Sequence, residues 1–172
     1  ITCLPDGGFA VCGRVHGTGI QGQAWILRTD AQGDTLWTRT WGTHVDLATV
    51  HYGKSILFSN DELCVLAKGT DDTLTTNGAH LLFYDLDGNY LRGTDYPDLD
   101  WDFPVSFCIP VSGGYTFVTD IHPVIKHTDQ YGETLWTQSI YVTPNDWHKG
   151  YCIRTTMDSG YIFCGWDGYY EY

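Results

Sequence analysis

The stretch TDAQGDTLWTRTWG, residues 29–42, returns as TDQYGETLWTQSI at residues 128–140. Aligned on Asp30 and Asp129, the two copies share glycine at +3 (Gly33, Gly132), threonine at +5 (Thr35, Thr134), leucine at +6 (Leu36, Leu135) and tryptophan at +7 (Trp37, Trp136). A weaker copy, YDLDGNYLRG (84–93), keeps Asp85, Gly88 and Leu91 in register, with Tyr90 in the threonine place and Arg92 in the tryptophan place. The spacings between the three aspartates are 55 and 44 residues.

Two further markers keep step. Asp46, Asp102 and Asp146 each open a new segment. A turn followed by an apolar run reads DGGFAVCG (6–13), NDELCVLAKG (60–69), SGGYTFVTD (112–120) and DSGYIFCG (158–165), led by Phe9, Leu63, Tyr115 and Tyr161. Three markers sharing a period of roughly 45–55 residues establish an internal repeat. Its units run approximately 1–46, 47–102, 103–146 and 147–172, the last incomplete.

One period reads as four short strands: a run at Gly7–Gly13, AWILRTD (24–30), TLWTRTW (35–41) and ATVHYGKSI (48–56). Alternation dominates, and no apolar stripe of period 3.6 is long enough for a helix. Four-stranded units at this period are the mark of propeller blades. The fold class is therefore all-β: a β-propeller segment of about three to four four-stranded antiparallel blades, part of a larger ring. Three and a fraction blades would leave open edges. The chain is thus expected to be a piece of a longer protein, or to be completed by another copy.

Within the repeat, D-x-x-G builds a hairpin turn: glycine supplies a positive φ and aspartate accepts from the turn amides. The tryptophan is expected to lie flat between neighbouring blades, burying about 150–250 Å2. The second unit departs from the pattern, with NDE in place of DGG and Arg92 in place of tryptophan. It is expected to be less regular, with an inserted loop near residues 70–78.

The pattern D-G-G-(F/Y)-x-x-x-G followed by D-x-x-G-x-x-x-W resembles the repeat of secreted bacterial β-propellers, common among substrates of type IX secretion. It is also similar to the D-x-x-G-x-x-x-W phrase of quinoprotein-like propellers. The resemblance covers nearly the whole chain. It implies the propeller fold and an extracellular or bacterial cell-surface location; it leaves function open, because propellers host many activities.

Bulk composition narrows the function classes. With 172 residues, 42% hydrophobic and 15% aromatic, the chain can bury a core. Nine basic against 21 acidic residues give a net charge of -12, which repels a phosphate backbone and anionic membranes. No run of 18 apolar residues marks a membrane helix. Nucleic acid and membrane insertion are therefore not expected.

Candidate chemistry is sparse. Of the six cysteines, Cys3, Cys12, Cys64, Cys108, Cys152 and Cys164, four fall at repeated positions, Cys12 with Cys164 and Cys108 with Cys152. That fits buried thiols, or a disulfide if the protein is exported. There is no C-x-x-C for zinc. His16 and His122 are equivalent loop positions. Asp98, Asp100 and Asp102, on an expected strand in TDYPDLDWDF, present alternate carboxylates to one face and are a calcium candidate; no other cofactor is expected. Binding residues are not identifiable, although the wealth of tryptophan and tyrosine suits sugar stacking. No nucleophile elbow, phosphate loop or supported acid pair points to catalysis. The expected function is a non-catalytic extracellular or cell-surface binding and scaffolding module for protein or glycan partners. The alternatives are part of a propeller enzyme (hydrolase, lyase or oxidoreductase) needing further blades, and a structural subunit assembling edge to edge.

Overall fold

The computed structural model describes residues 1–17, 20–42, 50–70, 77–99, 103–120, 123–140 and 147–168. The protein is all-β, and the chain divides into two compact units, Ile1–Asp100 and Trp101–Tyr172.

The first unit holds two four-stranded sheets. Strands β1 (Thr2–Cys3), β2 (Phe9–Gly17), β3 (Ile20–Thr29) and β4 (Thr35–Trp41) form one in consecutive order. Strands β5 (Tyr52–Ser59), β6 (Glu62–Thr70), β7 (Asn77–Tyr84) and β8 (Tyr90–Tyr96) form the other. All pairings are antiparallel. Strand β5 lies against β1, β2 and β3, so the sheets stack face to face. Period-2 side chains fill the space between: Ala10 on β2, Ile26 on β3, Ile56 on β5, Leu63, Val65 and Ala67 on β6, and Leu82 and Tyr84 on β7. Trp37 and Trp41, four residues apart on β4, close this core from the outer edge.

The second unit holds a four-stranded sheet of β9 (Pro104–Cys108), β10 (Tyr115–Thr119), β11 (Val124–Thr128) and β12 (Thr134–Ser139). Beside it is a two-stranded sheet, β13 (Trp147–Thr155) with β14 (Tyr161–Gly168). Strand β13 packs on β9 and β10, burying Cys108, Val118, Ile125 and Ile153. Consecutive-order antiparallel sheets of this kind are blade-like units.

Three expectations are corrected. The strand expected at 48–56 does not close the first sheet in its described part: Tyr52–Ser59 pairs with β6 and opens the second sheet, while the short Thr2–Cys3 supplies the first sheet's remaining strand. The second sheet is as regular as the first, each having register shifts in two of its three ladders. Asn60 and Asp61 adopt φ of 52° and 60°, a two-residue turn matched to strand twist, and the β6–β7 ladder runs through eight pairs without a bulge. Finally, Asp98 is not on a strand: Pro97–Leu99 is a 3-10 turn. Pro97 has no amide to continue the ladder, and Leu99 turns inward to 3% exposure.

Candidate functional site

The D-x-x-G turns come first, because they position everything else. Asp30 Oδ1 accepts from the amides of Gln32 and Asp34, each at 2.9 Å. Asp129 Oδ1 does the same for Tyr131 and Glu133 at 2.8 and 2.9 Å. Asp85 Oδ1 accepts from the Asn89 amide and its Oδ2 from Asn89 Nδ2, both at 2.8 Å, and these bonds hold the Asp85 carboxyl below its ordinary range. Gly33, Gly88 and Gly132 all have φ between +81° and +94°.

Trp37 sits on the turn of the next sheet. Its Nε1 donates to the Leu86 carbonyl at 2.8 Å, and a Cβ on Gly88 would come within 2.9 Å of the indole. Arg28, the cross-strand partner of Trp37, donates to the same carbonyl and to Asp6 Oδ2, both at 2.6 Å. Arg92 pairs through both Nη atoms with the two Glu62 oxygens, at 2.7 Å each, and lies 3.9 Å over the Phe83 ring. Trp136 rests against His127 and Tyr161, with ring centroids 5.3 and 6.0 Å away.

Between the outer strands of the first two sheets lies an open trough of about 520 Å3, lined by Arg39, Thr40, Trp41, Tyr84, Gly88, Asn89 and Tyr90. That volume falls within the ~300–1,000 Å3 usual for small-molecule sites. Trp41 is held from behind by two imidazoles, His51 at 4.8 Å and His80 at 4.7 Å between centroids. His80 Nδ1 in turn pairs with Asp95 Oδ1 at 2.7 Å. The glycines around this cluster make its room: a Cβ on Gly42 or Gly69 would meet the His51 ring at 2.3 Å. Tyr90 is 54% exposed and stands edge-on to Tyr84, 5.6 Å between centroids. Its hydroxyl lies over Gly93, where a Cβ would come within 2.6 Å.

The trough carries one formal charge, the Arg39 guanidinium, beside two neutral phenols. Burial pushes the Tyr84 phenol up to about 12, and burial together with Asp95 raises that of Tyr90, so both are protonated donors at neutral pH. The Arg39 guanidinium is committed: Nε donates to Gly88 O at 2.8 Å, Nη2 to Asp87 O at 3.2 Å and Nη1 to Thr38 O at 2.9 Å. It also lies 5.4 Å from the Trp37 ring centroid. It ties β4 to the 85–89 turn.

Of the calcium candidates Asp98, Asp100 and Asp102, one lies among the described residues. Asp98 is exposed on its 3-10 turn, and Asp100 and Asp102 lie outside the described residues, as do Asp46, Asp146, His122 and most of the expected 70–78 loop. Among the described residues no three His, Cys, Asp or Glu side chains group in a way that could hold a metal ion. All six cysteines are free thiols. No helix among the described residues is long and apolar enough to cross a membrane.

Sequence reading missed Trp41, Tyr84, Asn89 and the role of Tyr90. A signal existed. Tyr90 replaces the threonine of the repeat, and Trp41 stands where the other copies have Tyr96 and Ile140. The trough is built where the repeat is broken.

No known family pattern and no curated protein matches the chain. Among solved structures it is similar to a protein of unknown function from Bacteroides caccae, known from a crystal structure at 1.35 Å. The two share 10% identity over 86% of this chain and 47% of that one, with a TM-score of 0.51. At that identity the likeness is one of fold. The chain spans about half the length of that protein.

Proposed function

We propose that the chain is a non-catalytic binding module: a run of propeller blades within a larger ring, exported to the cell surface or the medium, whose trough takes a neutral saccharide. The observation that carries this reading is the trough itself. Trp41 and Tyr90 offer apolar ring surface for the C–H face of a sugar. Asn89 spends Nδ2 on Asp85, which leaves its Oδ1 for a hydroxyl, and Thr40 and the Tyr90 phenol supply further polar contacts. A net charge of -12 disfavours polyanionic ligands, and Arg39 is already bonded to three carbonyls.

The test is calorimetric titration of wild type and Tyr90→Ala with neutral oligosaccharides, acidic oligosaccharides and peptides. Saturable binding of a neutral sugar, weakened about tenfold or more in Tyr90→Ala while its circular dichroism is unchanged, supports the reading. Binding of no neutral sugar, or equal affinity in the variant, contradicts it.

A second reading rests on β14. That strand carries Ile162, Phe163 and Trp166 at 63, 38 and 47% exposure, and its one partner among the described residues is β13. Such an edge suits strand addition and edge-to-edge assembly. Mass that rises with concentration in sedimentation supports it; a monomer at every concentration contradicts it.

A further inference from the structure

The β13–β14 hairpin holds a pair of cysteines in an arrangement found nowhere else among the described residues. Cys152 and Cys164 are direct cross-strand partners, at the edge of a register shift between Gly150 and Cys152 and at the start of the regular ladder that runs on to Thr155 and Tyr161. The others face different residues: Cys3 is opposite Phe9, Cys12 opposite Ile26, Cys64 opposite Phe83 and Cys108 opposite Thr116. Directly opposed residues of an antiparallel ladder have Cα atoms about 4.5–5.5 Å apart. Their side chains leave on the same face. A disulfide spans Cα separations of about 4.4–6.8 Å. We propose that Cys152 and Cys164 close into a disulfide across β13–β14 under oxidising conditions, and that Cys108 stays a free thiol.

Access orders the chemistry. Cys164 is exposed and Cys152 half-buried. The Cys164 thiolate attacks one sulfur of a small-molecule disulfide such as oxidised glutathione, releasing one glutathione thiolate and leaving a mixed disulfide on Cys164. The Cys152 thiolate then attacks Cys164 Sγ, forms the Sγ–Sγ bond and expels the second glutathione thiolate. The two protons leaving the protein are taken up by the two glutathione thiolates. The protein sulfurs lose two electrons and the glutathione disulfide gains them.

Cys108 is the competing partner. It lies close enough to Cys152 for the two to feel each other electrostatically, and the Ser106 hydroxyl donates to Cys152 Sγ at 3.8 Å. Cys108 is only 6% exposed, shielded from a small-molecule disulfide, and the same burial pushes its thiol up to about 11. The link therefore runs along the hairpin, not between the sheets.

The experiment uses the full chain, equilibrated in glutathione buffers from fully reduced to fully oxidised. Free thiols are then alkylated and the peptides mapped by mass spectrometry. The expected result is a cross-link joining the Cys152 and Cys164 peptides, lost in Cys164→Ser and in Cys152→Ser, and kept in Cys108→Ala. Proteolysis of the hairpin should slow about tenfold or more in the oxidised form. No 152–164 cross-link even in the most oxidising buffer overturns the proposal, as does a dominant link from Cys152 to Cys108 or from Cys164 to Cys3. The peptide map reads connectivity directly, so a destabilised variant does not blur the wild-type result.

Discussion

Trp37 and Trp136 hold the same place in the same phrase, yet the protein treats them differently. Trp37 donates to Leu86 O, packs on Gly88 and borders the core of the first two sheets. Trp136 is 39% exposed and rests against the rings of His127 and Tyr161. The sequence around each is nearly identical, so the difference comes from the neighbour. Beside β4, the next sheet supplies its own D-x-x-G turn as a seat; beside β12, the described residues of the next sheet are the two strands β13 and β14. The phrase thus encodes half of a contact. The 85–89 turn that completes it for Trp37 is also the turn that supplies Gly88, Asn89 and Tyr90 to the trough, so blade packing and ligand site share one hinge of structure.

The comparison can be broken at its strongest point. Trp37→Ala removes a large ring and one of the two donors to Leu86 O, and should cost about 3 kcal/mol by urea denaturation, against about 1 kcal/mol for Trp136→Ala. Equal losses would mean that the neighbouring turn does not matter. Next in size is a glycine pair. Gly88→Ala meets both a positive φ and the Trp37 ring within 3.1 Å, and should cost about 2–3 kcal/mol. Gly33→Ala has open space around it and should cost only about 1 kcal/mol, from its φ of +90°. Arg92→Ala comes third, at about 1–2 kcal/mol: it removes a paired, stacked guanidinium and leaves Glu62 without that partner.

The smallest effect separates the two tryptophans by pH. Burial beside Trp136 lowers the pKa of His127 below its ordinary 6.5, partly opposed by the Tyr115 backbone. The unfolded chain therefore takes up the proton first. Stability of the native state is full above about pH 6.5 and declines as the pH falls from there toward the lower folded pKa. His127→Gln should flatten that decline in a series of urea midpoints across the window, while Trp37→Ala should leave its slope unchanged.

How much of this was legible is clearest residue by residue. The turn of Asp30 and Gly33, and the strands on either side of it, follow from local chemistry: a φ only glycine tolerates, and amides that need an acceptor. Such signals lie within five residues and survive in a bare sequence. The pairing of Tyr52–Ser59 was misplaced because a strand's partner is set by long-range contact, here β6, and nothing local distinguishes closing one sheet from opening the next. The NDE departure was misread as disorder in the pattern, although Asn60 and Asp61 both tolerate positive φ and make the tighter hairpin. Trp41 and Tyr90 were invisible as a pair. They lie on different sheets, 49 residues apart in sequence, and only stacking of β5 on β1–β3 brings their edges together.

The most direct test follows the indole N–H resonances of a nitrogen-15-labelled chain as a neutral oligosaccharide is titrated in. The account predicts that the Trp41 signal shifts saturably while those of Trp37, sealed against Leu86, and Trp136 stay in place. Movement of Trp136 with Trp41 unchanged, or no movement of any indole across the neutral sugars, would contradict it.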